Sequence, residues 1–243
     1  MPGIVIISLQ PGGSHETDIR PEHGLMASLT RSYPKPMRQQ INAHPLYAAM
    51  ILAGGRGSRM GGLDKGLATW RDRPLINAML DCLQSQTIPP SSLWISANRN
   101  LDTYAKALGQ HDRVITDAQP NFPGPLVGIG SVLEKIDEPL LMVVPCDTPK
   151  LPENLFESLH LALEQDTSLS AAYAMTSPEQ AHPLCCLLRK SVLTDLISYL
   201  DQGQQRVLGW MQRIPAKAVT FQDNAAFTNV NDPHTLASLR SAP

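Results

Sequence analysis

The sequence predicts a three-layer α/β/α domain with the architecture of a Rossmann-like fold, in which the sheet is mixed but mostly parallel. Short apolar runs alternate along the chain with longer segments of helical period. This alternation is typical of parallel strands that are connected through helices. Glycines or acids follow several of the apolar runs, and ligand sites in such sheets lie at the carboxyl ends of the strands.

In the first half of the domain, each predicted strand is followed by a predicted helix. The strands lie in LYAAMILAGG, SLWISANRN and DRVITD, and the first of them runs into a glycine-rich loop. The helices lie in RPLINAMLDCLQSQ, LDTYAKALG and LVGIGSVLEKI. Pro74 stands near the start of the first helix, where its fixed φ is favourable and its missing N–H is not needed.

The second half continues the alternation but places two predicted strands in succession. Short apolar runs between turn residues predict strands in PLLMVVPCD, LSAAYAM, HPLCCLLR and AKAVTF. Apolar residues at helical spacing predict helices in PENLFESLHLALEQ, SVLTDLISYLDQG and RVLGWMQR, and a final helix from Asp232.

Residues 1–45 differ in composition from the rest of the chain. They carry scattered prolines and charges and show no sustained helical or strand period. We therefore predict that residues 1–45 form a poorly ordered extension and that residues 46–243 form the domain. A tail with a function of its own is the alternative.

The composition argues against two classes of partner. Charged residues make up 17% of the 243 residues and the net charge is −2, so no basic field is available to hold nucleic acid. No apolar run approaches the roughly 18 residues that span a bilayer, and the first residues do not resemble a signal peptide. The four cysteines lack the spacing of a zinc site or a disulfide framework. We expect a monomeric cytoplasmic protein with reduced thiols.

Residues 52–66, LAGGRGSRMGGLDKG, form the densest chemical pattern in the chain. The glycines let the backbone approach a ligand and aim successive N–H groups at phosphate oxygens, and Arg56, Arg59 and Lys65 add positive charge. The segment predicts a phosphate-binding loop, with a flexible surface loop as the alternative. It is not a P-loop, because no Gly-Lys-Ser/Thr occurs, and Met60 replaces the last glycine of the dinucleotide fingerprint.

Residues with polar side chains also stand at the carboxyl ends of three later strands of the predicted sheet. Asn98, Asp117 and Asp147 stand at these carboxyl ends, where we expect them to converge with the glycine-rich loop. Asp147 offers the hard oxygen anion that Mg²⁺ prefers. Each residue has a structural alternative: Asp147 as the cap of a turn or helix, Asp117 as a turn residue, and Asn98 as the cap of the helix near Leu101.

The pattern LAGG-x-G-x-RMGG-x-DKGL resembles the N-terminal signature of the molybdenum cofactor guanylyltransferase family, a branch of the nucleotidyltransferase fold. The resemblance continues through ISANR, the acid in ITD, FPGPLVG, VVPCDTP, HPL and NVN-x-P. These segments follow the family's order and approximate spacing over residues 46–240. The resemblance therefore covers almost everything except the N-terminal extension.

The resemblance implies roles for the matching positions. The positions implied to contact the nucleotide are Leu52, Ala53, Gly54, Gly55, Asn98, Asp117, Gly124, Pro125 and Leu126, and the last three would form a turn against the base. Lys65 would bind the phosphates, with Arg59 as a further catalytic cation, and Asp147 would bind them through Mg²⁺.

On the pterin side, the resemblance implies that Asn229 and Asn231 face the substrate and that Arg206 lies near its phosphate. His182 would stand nearby, with a structural role as its alternative, and an Asx turn is the alternative for the two asparagines. Related enzymes often carry a second arginine before Arg206, whereas this chain has Gln205. This departure leaves the pterin side less well defined than the nucleotide side.

The implied reaction is attack by the terminal phosphate of Mo-molybdopterin on the α-phosphorus of GTP, with release of pyrophosphate. The attacking phosphate is already anionic, so the reaction needs charge compensation rather than a strong base. Proteins that deliver molybdopterin and chaperones of molybdoenzymes are the implied protein partners. Two alternatives remain. One is a related transferase that uses CTP, UTP or another nucleoside triphosphate on the pterin or on a sugar phosphate, and the other is a non-catalytic nucleotide-binding regulator.

Overall fold

The computed structural model of the chain describes residues 45–54, 64–111, 113–116 and 124–230. Within them, nine strands and six α-helices alternate. The strands are β1 (Tyr47–Leu52), β2 (Thr69–Trp70), β3 (Arg73–Pro74), β4 (Ser92–Ser96), β5 (Val114–Ile115), β6 (Leu140–Pro145), β7 (Ala171–Ser177), β8 (Gln180–Arg189) and β9 (Ala216–Thr220). The helices are α1 (Leu75–Gln84), α2 (Leu101–Leu108), α3 (Pro125–Leu133), α4 (Leu155–Gln165), α5 (Leu193–Asp201) and α6 (Val207–Arg213).

Seven of the strands form one sheet in the order β5-β4-β1-β6-β8-β7-β9. Strand β1 lies between β4 and β6 and is parallel to both. The chain moves from β1 through α1 to β4, and later returns to the other side of β1 as β6. The order of the strands therefore reverses between β1 and β6, and ligands in open α/β sheets bind at the carboxyl ends of the strands at such a point.

The other half of the sheet makes it mixed. Strand β8 is antiparallel to both β6 and β7, and β9 is parallel to β7. The register of β7 and β8 shifts between Tyr173 and Ala174, which marks a β-bulge close to His182. The three-layer, mostly parallel mixed sheet predicted from the sequence is confirmed.

The two faces of the sheet are covered by different helices, because side chains alternate along each strand. In β1, Tyr47, Ala49 and Ile51 face a cluster formed with α1, α2 and α4. The intervening Ala48 and Met50 face a second cluster, formed with α3, α5 and α6. The side chains of Met50, Met142 and Trp210 are fully buried in these two clusters.

The structure contains one hairpin that the sequence did not indicate. Strands β2 and β3 pair through Arg71 and Asp72, both of which have positive φ. Such turns favour Asn-Gly, so this pair of residues gives no recognisable signal. Residues 1–44 of the predicted extension and the final helix predicted from Asp232 lie outside the described residues. In the described part of the chain, no helix has both the length and the apolarity needed to cross a bilayer.

Candidate active site

The carboxyl ends of the three central strands are held together by backbone hydrogen bonds. Strand β1 ends at Leu52, which is paired with Ser96 of β4 and Pro145 of β6. Beyond the strand, the Ala53 amide donates to the Ser96 carbonyl over 2.8 Å, and the Cys146 amide donates to the Leu52 carbonyl over 3.1 Å. The start of the glycine-rich loop and the segment around Asp147 therefore lie side by side.

Lys65 and Asp147 meet at this edge of the sheet. The Lys65 ammonium lies 3.2 Å from Oδ2 of Asp147. Lys65 begins a short 3-10 helix, Lys65–Leu67, and Asp147 occupies the turn after β6. The Lys65 side chain is 32% exposed and that of Asp147 is 12% exposed. The pair is thus shielded but open to a ligand, and a cation and an anion stand where the strand order reverses.

Asp64, the residue before Lys65, is almost entirely buried and forms a hydrogen-bonded cluster. Its Oδ1 accepts from the Tyr104 hydroxyl at 2.5 Å and from the Gly66 amide at 3.3 Å. Its Oδ2 accepts from the Asn100 side-chain amide at 3.0 Å. Sequence reasoning missed this cluster, because its members are separated along the chain and only the Asp-Lys-Gly run offered a signal.

Gly66 has a different role from the one predicted for it. The sequence suggested that this glycine lets the backbone approach phosphate, but its N–H donates to Asp64. A Cβ at this position would lie 2.5 Å from the Tyr104 hydroxyl oxygen, which is too close for two such atoms. Glycine is therefore needed here so that the 3-10 helix can pack against α2.

The segment that ends at Val230 is joined to Asp147. The Val230 amide donates to the Asp147 carbonyl over 2.8 Å. The side chain of Val230 is buried in a small cluster with the hairpin and α1, whose other members are Ala68, Trp70, Leu75 and Ala78. Asn229, which precedes Val230, is exposed. The structure therefore brings Asn229 to the same edge of the sheet as the Lys65–Asp147 pair.

Gly54 and Asn98 are close neighbours at the ends of β1 and β4. A Cβ on Gly54 would lie 3.5 Å from the Asn98 side-chain nitrogen, and both residues are exposed. The alternative that Asn98 caps the following helix is wrong, because the N-cap position of α2 is occupied by Asn100. Asn100 adopts the left-handed conformation and directs its amide to Asp64.

The predicted base-contacting turn lies at the start of α3. Gly124 is the N-cap residue and Pro125 is the first residue of the helix, and both are partly exposed. Leu126 is only 1% exposed and packs in the core. Its side chain therefore stabilises α3 against the sheet, and the contact of Gly124, Pro125 and Leu126 with the base stays a prediction.

His182 is held by its neighbours. Its Nε2 lies 3.0 Å from the Thr176 hydroxyl, and its ring stacks on Phe227 with 4.7 Å between centroids. Burial lowers the pKa of His182 below its ordinary value. These contacts support the structural alternative stated for this residue.

Arg206 is exposed and precedes α6. Helices α5 and α6 run antiparallel, because Trp210 donates to Asp195 near the start of α5, while Tyr199 near its end donates to the Arg206 carbonyl. Helix α5 starts beside the beginning of β6, since the Lys190 amide donates to the Pro139 carbonyl. Arg206 therefore lies where α5 ends and α6 begins.

Four of the predicted site residues lie outside the described residues: Gly55, Arg59, Asp117 and Asn231. Their roles stay predictions. The residues that the structure brings to one edge of the sheet are Leu52, Ala53, Gly54, Lys65, Asn98, Asp147 and Asn229.

Cys146, beside Asp147, has no chemical role that its environment supports. Cys146 is only 5% exposed. Burial raises the pKa of the Cys146 thiol to about 12, so the thiol stays protonated near neutral pH and is a poor nucleophile.

The described residues also contain no group of three or more His, Cys, Asp or Glu side chains that could hold a metal ion without help from a ligand.

Known proteins share this sequence pattern. The family profile of the MobA-like NTP transferase domain matches residues 49–215. The molybdenum cofactor guanylyltransferase of Ralstonia nicotianae is 40% identical over 198 residues, which cover 79% of this chain and 93% of the relative. That of Mannheimia succiniciproducens is 41% identical over 195 residues, covering 80% of this chain and 97% of the relative.

The fold is also that of a solved structure, the molybdopterin-guanine dinucleotide biosynthesis protein A from Archaeoglobus fulgidus. The two agree with a TM-score of 0.62 over 79% of this chain and 95% of that one. Their sequences are 18% identical, so this likeness concerns the fold alone. On the profile match and the identity to the relatives, the chain belongs to the family of MobA-like NTP transferase domains and, within it, to the molybdenum cofactor guanylyltransferases.

Proposed function

We propose that this protein transfers GMP from GTP to the terminal phosphate of Mo-molybdopterin, forming the guanine dinucleotide cofactor and pyrophosphate. The observation that carries the proposal is the Lys65–Asp147 pair, 3.2 Å apart at the carboxyl ends of the central strands. A triphosphate placed at this edge would meet a cation and a metal-binding anion together. Membership of the guanylyltransferase family supports GTP as the donor.

The residues present fit a magnesium ion that is shared with the substrate. Mg²⁺ is usually held by one or two carboxylates together with phosphate oxygens and water. Asp147 supplies one such carboxylate, and no larger metal-binding group exists among the described residues. Asp147 would hold the ion, which when bound would neutralise charge on the phosphate oxygens.

Besides the magnesium ion, Lys65 would compensate the negative charge of the phosphates. Two anions must approach each other in this reaction, and charge develops on the departing pyrophosphate. The Lys65 ammonium is positioned in advance by Asp147, and preorganised charges of this kind lower the barrier without the cost of rearrangement. No general base is required, since a phosphate monoester is already ionised near neutral pH.

On the acceptor side, Asn229 and Arg206 are the described candidates for contact with the pterin substrate. The backbone bond from Val230 to Asp147 keeps Asn229 near the reacting phosphates. Arg206 is exposed and can pair with a phosphate, because a guanidinium binds phosphate oxygens in bidentate fashion. Asn231 would extend the same surface.

The nucleotide would lie along the loop after β1. Leu52, Ala53 and Gly54, with Gly55 and Arg59 beyond them, would face its phosphates, and Asn98 lies beside Gly54. The base would lie against the turn at Gly124 and Pro125. The remaining predicted nucleotide contact is Asp117.

The protein would act as a monomer in the cytoplasm, with residues 1–45 as an extension outside the catalytic domain. Its expected protein partners deliver molybdopterin or receive the finished cofactor. Sedimentation of the purified chain tests whether the protein is a monomer, and a stable dimer would contradict this expectation.

The proposed reaction is tested by incubating the purified protein with Mo-molybdopterin, Mg²⁺ and each of GTP, CTP, UTP and ATP separately. We expect mass spectrometry to detect the guanine dinucleotide and pyrophosphate in the GTP sample, and far less dinucleotide after the same time with Asp147→Ala. A dinucleotide formed only with CTP or UTP would assign a different donor. Absence of pyrophosphate release from every nucleotide would contradict the enzyme assignment.

A further inference from the structure

Asp64 is an acid at the proposed active site that the reaction does not use. Asp64 is only 8% exposed. Burying a carboxylate is costly unless hydrogen bonds replace its hydration, and Asp64 accepts three of them. Both carboxylate oxygens are engaged by protein donors, so Asp64 is poorly suited to hold a metal ion.

The three donors tie the residues around Lys65 to helix α2. Tyr104 and Asn100 belong to the helix and its N-cap, whereas the Gly66 amide follows Lys65 directly. Tyr104 is completely buried. Burial and the hydrogen bond to Asp64 raise the pKa of Tyr104, so the hydroxyl remains a donor. The absence of a Cβ at Gly66 lets the chain pass within contact distance of Tyr104.

Lys65 needs a fixed backbone to hold its flexible side chain in one place. A lysine side chain has a flexible four-carbon stem and loses rotamer entropy when it is fixed. The ammonium can remain near Asp147 only if the backbone that carries it is held in place. The residues on both sides of Lys65, Asp64 and Gly66, are joined by a hydrogen bond across the lysine, and both contact Tyr104.

We propose that Asp64 and Tyr104 are positioning residues that fix the Lys65 ammonium at the triphosphate. The proposal rests on the proposed function, because it gives Lys65 the phosphates to bind. The two nearby acids then have separate tasks: Asp64 holds the backbone of Lys65, and Asp147 faces the ligand.

The test is a double-mutant cycle between Tyr104→Phe and Lys65→Ala, with GTP affinity in the presence of Mg²⁺ as the readout. Tyr104→Phe removes one hydrogen bond to a charged group and leaves the ring in place. We expect GTP affinity to fall about tenfold in the Lys65 background, the order expected for such a bond. In the Lys65→Ala background, Tyr104→Phe should change the affinity less than about twofold.

Tyr47→Phe is the matched control. Tyr47 is also fully buried and donates one hydrogen bond, to the Ile88 carbonyl, from the start of β1. This variant should lose thermal stability without losing GTP affinity. If Tyr104→Phe does not fold, Asn100→Gly removes another donor to Asp64 in a residue whose left-handed conformation suits glycine, and the same cycle applies.

An equal loss of affinity with and without Lys65, or no loss in either background, would overturn the positioning role. The readout separates this failure from that of the proposed function. A wild-type protein that binds GTP but makes no dinucleotide refutes the function, while the cycle still decides the role of Tyr104. A wild-type protein that binds no nucleoside triphosphate refutes both.

Discussion

The ammonium of Lys65 lies 3.2 Å from the carboxylate of Asp147, although 82 positions separate the two residues in the chain. Their proximity follows from the strand order. Lys65 belongs to the connection that leaves β1, and Asp147 follows β6, which is paired with β1 along its whole length. The two residues are thus brought together by the central pair of parallel strands, at the point where ligands bind in such sheets.

Asp147→Ala should lower the rate of GMP transfer by about 10²–10³, the cost of losing one preorganised charge contact. The fold should remain intact, because Asp147 lies beyond the end of β6 and forms no part of the core. Steady-state release of pyrophosphate measures the rate of transfer, and a thermal melt shows whether the variant is folded. Asp137→Ala, an exposed acid before the start of the same strand, is the control and should keep full activity. Near-normal transfer by Asp147→Ala would assign the metal to another residue.

Lys65→Ala should raise the KM for GTP and also slow transfer, so that kcat/KM falls by about 10². The reason is that the ammonium contacts phosphate both in the bound substrate and as the leaving group departs. Initial rates over a range of GTP concentrations give the two constants. Lys135→Ala, an exposed lysine after α3, should behave as wild type. Unchanged constants for Lys65→Ala would mean that other cations bind the triphosphate.

Val230→Ala should raise the KM for the pterin substrate more than the KM for GTP. The valine is 2% exposed and packs against Trp70, while its amide is bonded to Asp147, so a smaller side chain loosens the segment that carries Asn229. Removing its two methyl groups should also lower the free energy of unfolding by about 2 kcal/mol. Urea denaturation and substrate titrations measure these effects.

The matched control is Val192→Ala, since Val192 is 4% exposed and lies in the core cluster formed with α3, α5 and α6. It should lose a similar amount of stability and leave both KM values unchanged. If the two valine variants have the same kinetics, the packing of Val230 does not position the acceptor side.

The stability of the protein should depend on the protonation of His182. Burial lowers the pKa of this histidine in the folded state, so below about pH 6.5 the unfolded chain binds the proton more readily. Folding is then disfavoured as the pH falls, and the contribution is fully present only above the unfolded pKa. We expect the free energy of unfolding to fall more between pH 7 and pH 5 in the wild type than in His182→Gln. Equal slopes in urea denaturation would show that His182 does not contribute.

Much of the fold and the central pair could be predicted from local sequence. Strands such as β1 and β6 are continuous apolar runs, as strands buried on both faces must be. The glycine-rich loop and Asp147 each follow such a run, so their convergence at one sheet edge follows from the parallel topology. The helices from α1 to α6 were also predicted, because each has apolar residues at helical spacing.

Contacts between distant side chains could not be predicted in this way. The bond from Tyr104 to Asp64 joins α2 to a loop residue, and Tyr104 looks in the sequence like an ordinary core aromatic. Leu126 fitted a family motif, yet its side chain packs in the core. The hairpin of β2 and β3 was missed because Arg71 and Asp72 adopt a turn that usually requires asparagine and glycine.

A shared role of Lys65 and Asp147 at one triphosphate, with Asp147 acting through Mg²⁺, can be tested by titrating GTP into the wild type and Asp147→Asn, with and without Mg²⁺. Asparagine keeps the shape of the side chain and removes its charge. We expect Mg²⁺ to strengthen GTP binding at least about tenfold in the wild type, equivalent to about 1.4 kcal/mol, and to have little effect in the variant. An equal gain from Mg²⁺ in both proteins would contradict the role assigned to Asp147.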